Sequence, residues 1–147
     1  MTGLILAAGA SSRLGEAKQL LVYQGQSLLE RSIRLAFSVC KEVQVCLGAE
    51  VDQSIRIIEN LQKEFSTLSF VQVEHWDKGM GESLAVGLKT IDFSKDVLVL
   101  LCDLPFLTSS HIKNLTSLAN PERAIVASFQ GVNSPPVLIP SALRPLF

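Results

Sequence analysis

One short stretch of the chain carries residue types that could bind a polyphosphate. The sequence GASSRLGEAK at positions 9–18 follows an apolar run and contains two glycines and the cations Arg13 and Lys18. Glycine lets the backbone approach a ligand closely, and the main-chain amides of residues 10–12 can form an anion-binding nest. Arg13 adds a bidentate guanidinium and Lys18 adds a point charge. This composition predicts a cradle for a triphosphate.

The spacing within this loop excludes two common phosphate-binding motifs. A P-loop has the pattern GxxxxGK[ST], whereas Lys18 lies nine residues after Gly9 and precedes Gln19. The dinucleotide fingerprint GxGxxG is also missing from the sequence, which disfavours a flavodoxin-like or dehydrogenase redox domain. Taken alone, the stretch also suits an ordinary loop between a strand and a helix, with two solvated cations.

A single carboxylate, Asp103, directly follows the apolar run VLVLLC and precedes LPF. An Asp at the carboxyl end of a central strand lies where α/β sheets hold their ligands. It can hold Mg²⁺ when waters and phosphate oxygens complete the shell. Because the sequence Asp-Leu-Pro also favours a turn, the alternative is that Asp103 only caps the turn that follows it. A magnesium site facing the phosphate loop accounts for both stretches.

The third stretch, DKGMGESLAVGLK at positions 77–89, combines close-approach glycines with the start of a helix. Gly79 and Gly81 admit a ligand near the backbone, and Ser83 stands near the predicted helix start. A glycine at position 87 costs a helix about 1 kcal/mol relative to alanine unless a strand or ligand packs against it. The preceding Trp76 is a candidate to cover a ligand, with core packing as the alternative.

Alternating patterns predict the elements that must position these residues. Apolar or period-two runs indicate strands at 3–8, 42–47, 69–74, 96–102 and 123–129, with a short one at 137–139. Helical periods cover 27–39, 51–63, 82–91 and 109–119, and SLLE at 27–30 predicts a capping box. Strands joined by crossover helices predict an α/β fold with a mostly parallel sheet. Its ligands bind past the carboxyl ends of the strands.

Composition limits the classes of function. The 147 residues, 48% hydrophobic and 18% charged, predict one domain over 1–147. The net charge of −1 argues against a general nucleic-acid binder. No apolar run approaches the ~18 residues that would suggest a membrane span, and the first residues lack the basic segment of a signal peptide. Three cysteines without CxxC spacing predict buried reduced thiols. We therefore expect a cytoplasmic protein.

Taken together and in order, the motifs LAAGASSRLGEAK, GMGESLAVGL and LLCDLPFLT resemble those of nucleotidyltransferases that attach a nucleotide to molybdopterin. The resemblance covers nearly the whole chain and is strongest to the cytidylyltransferase type, although sugar-phosphate nucleotidylyltransferases share the first motif. It implies a Rossmann-like three-layer α/β/α sandwich of the nucleotide-diphospho-sugar transferase type. The implied reaction is Mg²⁺-dependent transfer of CMP from CTP to molybdopterin with release of pyrophosphate. A molybdoenzyme that receives the product is an implied partner.

The resemblance also implies roles at matching positions. Arg13, Lys18 and Asp103 form the implied catalytic set, in which the two cations hold the triphosphate and Asp103 binds magnesium. Ala8 favours CTP, because the cytidylyl and guanylyl branches tend to differ as LAAG and LAGG. The implied nucleotide-binding residues are Leu6, Ala7, Ala8, Gly9, Ser12, Arg13, Lys18, Gly79, Gly81 and Ser83.

The chain departs from the resembling family in one respect. Members of that family continue for several tens of residues beyond the segment similar to SPPVL at 134–138, and this part helps to form the second-substrate site. We therefore expect that 1–147 lacks the family's C-terminal segment, so that nucleotide binding can persist without transfer, or that the chain completes its site with another subunit. Two alternatives stay open: a sugar-phosphate or polyol-phosphate acceptor, and a non-catalytic module that binds a nucleotide or hands over molybdenum cofactor.

Overall fold

A computed structural model describes residues 1–9, 17–48 and 51–147. Helices and strands alternate along most of this length, as the sequence predicts. In chain order the elements are β1 (Thr2–Ala7), η1 (Lys18–Leu20), β2 (Val22–Tyr23), β3 (Gln26–Ser27), α1 (Leu28–Phe37), β4 (Glu42–Leu47), α2 (Val51–Gln62), β5 (Leu68–Gln72), η2 (Trp76–Lys78), α3 (Met80–Thr90), β6 (Val97–Leu101), α4 (Ser109–Ser117), β7 (Ile125–Phe129), β8 (Val132–Ile139) and η3 (Ser141–Leu146), where η denotes a 3-10 helix.

Within the described ranges, the main sheet has six strands in the order β5-β4-β1-β6-β8-β7. Strands β5, β4, β1 and β6 are parallel, whereas β8 runs antiparallel to both β6 and β7. The predicted mostly parallel sheet is confirmed, and β6 is central, between β1 and β8. The carboxyl ends of β1, β4 and β6 therefore meet at one edge of the sheet.

The helices cover the sheet on both faces. Side chains of β1 alternate: Ile5 and Ala7 lie in one apolar cluster with residues of α1, α2 and α4, and Leu4 lies in a second cluster with Leu88 of α3. Each fully buried aliphatic side chain contributes about 1.5–3 kcal/mol relative to an exposed one. The predicted three-layer α/β/α sandwich is confirmed.

Helix α3 approaches the sheet closely at Gly87. A Cβ atom at this position would lie 2.7 Å from both Cys46 Sγ and Leu4 Cδ1. The strands β1 and β4 therefore occupy the space that a side chain would need. This contact accounts for a glycine inside a helix despite its cost of about 1 kcal/mol.

Two helix starts show how local polar chemistry fixes element boundaries. The hydroxyl of Ser27 accepts a hydrogen bond from the Glu30 amide at 3.1 Å, which is one half of the predicted capping box. The other half is wrong, because the Glu30 carboxylate accepts from Arg34 Nε at 2.9 Å and not from the Ser27 amide. Helix α4 has a reciprocal box between Thr108 and His111. Since the usual pattern has Glu or Gln at the third position, this second box was not predicted.

Strand β8 is longer than the predicted segment 137–139. It begins at Val132, and its first half pairs with β7 alone. The register passes from Val126 opposite Val137 to Ala127 opposite Ser134, so Pro135 and Pro136 form the irregularity. Proline has no amide hydrogen for a ladder, which is why the predicted strand covered only 137–139.

The buried side chain of Arg144 fixes η3 against the end of α3. Its guanidinium donates to the carbonyls of Leu88 and Ile91, the latter at 2.7 Å, and also to Asp92 and Lys95. A cation at a helix C-terminus interacts favourably with the exposed carbonyls and the helix dipole. Separately, none of the helices in the described part of the chain is long and apolar enough to cross a bilayer.

Candidate active site

A cavity of about 360 Å³ opens at the carboxyl ends of β1 and β6. This is the edge at which a doubly wound sheet binds its ligands. The lining residues come from four segments: the end of β1, η1, the η2–α3 region, and the end of β6. They are Leu6, Ala7, Ala8, Gly9, Lys18, Gln19, Trp76, Asp77, Gly79, Met80, Ser83, Leu101, Cys102 and Asp103.

The cavity brings together Lys18 and Asp103, which are 85 positions apart in the chain. Lys18 Nζ lies 3.3 Å from Asp103 Oδ2, and the two side chains are 43% and 36% exposed. An ion pair this exposed contributes at most about 1 kcal/mol to stability. The free-energy cost of separating the pair is therefore small, and both charges are accessible to an incoming anion and its counter-ion.

The chemistry of the donor set fits Mg²⁺ that arrives with a phosphorylated ligand. Over the described residues, no three His, Cys, Asp or Glu side chains gather into a preformed metal cage. Mg²⁺ is commonly held by one or two carboxylates, with waters and substrate phosphates completing its shell. Asp103, partly exposed beside the cavity, supplies such a carboxylate.

Helix α3 begins at the wall of the cavity. Gly79 occupies its N-cap position and Met80 its first turn. The Glu82 amide of this first turn donates to the Gly79 carbonyl at 3.2 Å. The amides before it in the turn have no partner within the helix, so the start of α3 offers backbone donors to a ligand. Ser83, only 3% exposed, lines the cavity next to these donors. Gly81 lies in the same turn but does not line the cavity.

The predicted site residues fall into three groups. Leu6, Ala7, Ala8, Gly9, Lys18, Gly79, Ser83 and Asp103 line the cavity. Gly81 is adjacent to it in α3. Ser12 and Arg13, together with the predicted nest at 10–12, lie outside the described residues.

Several lining residues were missed by the motif analysis. Gln19 is 1% exposed. The sequence feature that could have found it is its position as a polar residue directly before the apolar run LLV at 20–22. No feature of the sequence identified Asp77 or Met80 as site residues. Cys102 borders the cavity, but burial raises the pKa of its thiol to about 12. Since the thiolate is the reactive form, Cys102 is not a nucleophile here.

A second, larger groove shares Asp103 with the cavity. It measures about 930 Å³ and is lined mainly by apolar side chains of α4, β7 and β8, including Leu115, Ile125 and Pro136. Phe106 and Phe129 are also among its lining residues, and each is 77% exposed. Asp103 therefore stands between the cavity and an apolar groove.

Comparison with known proteins links this geometry to one family. The model of the MobA-like NTP transferase domain matches residues 3–147. A protein of Paenarthrobacter nicotinovorans named nicotine blue oxidoreductase is 32% identical over 99% of this chain and 73% of its own length. A probable molybdenum cofactor guanylyltransferase of Bacillus cytotoxicus is 25% identical over 92% of this chain and 65% of its own. The molybdenum cofactor cytidylyltransferase of Escherichia coli is 24% identical over 92% and 68%.

The fold also matches solved structures. A nucleotidyl transferase from Methanothermobacter thermautotroptrophicus superposes with a TM-score of 0.82 at 16% identity, over 98% of this chain and 73% of that one. At this identity the match bears on the fold alone. It supports a Rossmann-like α/β/α sandwich.

Proposed function

The chain belongs to the MobA-like NTP transferase family and is a nucleotidyltransferase, and from this premise we propose that it transfers CMP from CTP to molybdopterin. The observation that carries the proposal is the Lys18–Asp103 pair at 3.3 Å, beside the backbone donors of α3 in one cavity. A cation beside a carboxylate forms a donor set suited to a polyphosphate with a bound divalent ion, and the backbone donors of α3 add hydrogen bonds to the rest of the nucleotide.

In the proposed reaction, an oxygen of the acceptor's phosphate attacks the α-phosphorus of CTP. The new oxygen–phosphorus bond forms as the bond from the α-phosphorus to the bridging oxygen breaks, and pyrophosphate leaves. Catalysis of this kind is mostly positioning and charge neutralisation. Lys18 and Arg13 hold the triphosphate in this scheme, and Asp103 holds Mg²⁺, which would offset the negative charge of the phosphates. No protein nucleophile is required.

The preference for CTP rests on Ala8. This residue is buried at the end of β1 and lines the cavity in the LAAG form of the motif. The guanylyl relatives match at 38% identity over 71% of the chain and at 25% over 92%, and the cytidylyl relative at 24% over 92%, so the relatives do not support the choice of CTP. We do not extend the oxidoreductase activity of the 32% relative to this chain, because the cavity's donor set suits a polyphosphate.

The proposed acceptor is the phosphate of molybdopterin, with the body of the acceptor in the apolar groove. Support comes from the position of Asp103 on the border of both spaces, so that two ligands would meet beside one carboxylate. We place the reaction in the cytoplasm, with a molybdoenzyme as receiver of the product. The buried, unpaired cysteines of the described chain suit a reducing compartment.

The first experiment is calorimetric titration with CTP, GTP, UTP and ATP in Mg²⁺, repeated with EDTA for the tightest ligand. We expect Mg²⁺-dependent preference for CTP. Preference for GTP would overturn the choice of base, and no binding of any nucleotide would overturn the nucleotidyltransferase site. Pyrophosphate release is then measured with molybdopterin and with sugar phosphates. Release with a sugar phosphate alone favours the alternative acceptor, and binding without release favours the non-catalytic module.

A further inference from the structure

The cavity has different chemistry at its two ends, and the strand order shows why. Strand β1 lies between β4 and β6 in the sheet. Asp103 and its partner Lys18 are at the β6 side. Trp76 is at the β4 side, because it stands against Gly48, the residue that follows β4. The charged pair and the indole therefore lie on opposite sides of the β1 end.

The position of Trp76 depends on the absence of a side chain at Gly48. A Cβ atom there would lie 2.6 Å from Trp76 Cβ and Cγ and 2.5 Å from the carbonyl oxygen of Ala8. Any larger residue would displace the indole or the end of β1. The tryptophan side chain is thus held beside Ala8 by the backbone of two neighbouring strands.

The indole of Trp76 borders both the apolar core and the cavity. It is half-buried and packs against the apolar cluster that includes Leu6 and Val73, and it also lines the cavity together with Met80. Two polar residues share this end: Asp77 follows Trp76 in η2, and Ser83 lies near β4, since its carbonyl accepts from Cys46 Sγ at 3.3 Å. The Asp77 carboxylate disfavours phosphates here, whereas Ser83 and the first-turn amides of α3 suit the hydrogen-bonding groups of a base.

A nucleoside triphosphate matches these two ends of the cavity, because it has an aromatic base at one end and charged phosphates at the other. We propose that Trp76 binds the nucleobase by stacking, with the phosphates directed toward Lys18 and Asp103. This inference rests on the proposed function and adds a binding residue to it. Since every base has a π-face, stacking raises affinity for all nucleotides. Hydrogen bonds between the protein and the base would then select among the bases.

The test uses the fact that Trp76 is the only tryptophan in the sequence. Titration of the wild-type protein with CTP should change the intrinsic fluorescence directly. Trp76→Leu should lose about tenfold or more in CTP affinity, whereas Trp76→Phe should stay close to wild type, because a phenyl ring still stacks. Tripolyphosphate, which has no base, should bind wild type and Trp76→Leu equally. Phe70→Leu, at an exposed aromatic of β5 outside the cavity, is the matched control and should bind CTP normally.

The outcomes separate the inference from its premise. If Trp76→Leu weakens CTP and tripolyphosphate alike, Trp76 is only a packing residue and the inference fails. An unchanged CTP affinity in Trp76→Leu also overturns it, while the nucleotide site stands. Failure of the wild-type protein to bind any nucleotide overturns the proposed function and this inference together.

Discussion

At the scale of single residues, the cavity holds an internally neutralised charge pair. Lys18 and Asp103 are in contact at 3.3 Å. A bound triphosphate would offer Lys18 a stronger, multiply charged partner, and a divalent ion would do the same for Asp103. When ligand and metal bind, we expect Lys18 to contact the triphosphate and Asp103 to contact the divalent ion, in place of each other. Substitutions of Lys18 and of Asp103 should therefore have different effects.

Lys18→Ala should weaken CTP binding in Mg²⁺ by about 10- to 100-fold, since a charge-assisted contact contributes about 1.5–3 kcal/mol. Calorimetric titration measures this loss. Lys89→Ala is the matched control, because Lys89 is an exposed lysine in the last turn of α3 and lies outside the cavity. Equal affinities in the two variants would contradict the role of Lys18.

Asp103→Asn keeps the shape of the side chain and removes its charge. Without metal, this variant should bind CTP at least as tightly as wild type, because the repulsion between the Asp103 carboxylate and the phosphates is gone. Addition of Mg²⁺ should then give no enhancement, and turnover should fall. Titrations in EDTA and in Mg²⁺, with a pyrophosphate-release assay, measure both effects. Normal turnover in Asp103→Asn would contradict the metal assignment.

At the scale of elements, the contact of α3 with the sheet is controlled by Gly87. Gly87→Ala should destabilise the protein by about 1–3 kcal/mol, because the added methyl would lie 2.7 Å from Cys46 Sγ and Leu4 Cδ1. The same change in an open helical position stabilises by about 1 kcal/mol. Gly81→Ala, in the same helix with nothing within 4 Å of an added Cβ, supplies that comparison. Urea unfolding of both variants tests the contact, and two stabilised variants would contradict it.

The helices and strands also show how much of the fold could be predicted from the sequence. Strand β4 has the predicted bounds, since its apolar run ends at Gly48, and α1 begins after the predicted cap at Ser27. The rule that ligands bind at strand carboxyl ends anticipated that Lys18 and Asp103 would lie near each other. The longer β8 was missed because Pro135 and Pro136 resemble a loop.

The position of Trp76 could not be predicted for a different physical reason. Whether its indole lies in the core, in the cavity or between them depends on how closely β4 approaches η2. That distance is set by Gly48 through contacts between segments far apart in the sequence. Local patterns contain no information about such an approach.

At the scale of the whole molecule, the cysteines are distributed over both apolar clusters. Cys40 and Cys102 lie in the cluster beneath α1, and Cys46 lies beneath α3. Burial raises the pKa of Cys40 to about 11 and the pKa values of Cys46 and Cys102 to about 12. In the unfolded chain these thiols titrate near their ordinary pKa of about 8.5.

This difference predicts that the free energy of unfolding falls as the pH rises from about 9 toward 11. In that interval the unfolded chain has released thiol protons that the native chain still holds, so stability decreases with pH, and below about pH 8 the thiols contribute no slope. Urea unfolding with a reductant at pH 7.5, 9 and 10 measures the effect. The Cys40→Ala/Cys46→Ala/Cys102→Ala variant is the comparison, because it differs from wild type only at the three thiols. Whatever its stability at pH 7.5, the variant should lose less stability between pH 9 and 10 than wild type, and parallel curves would show that the buried thiols do not link folding to pH.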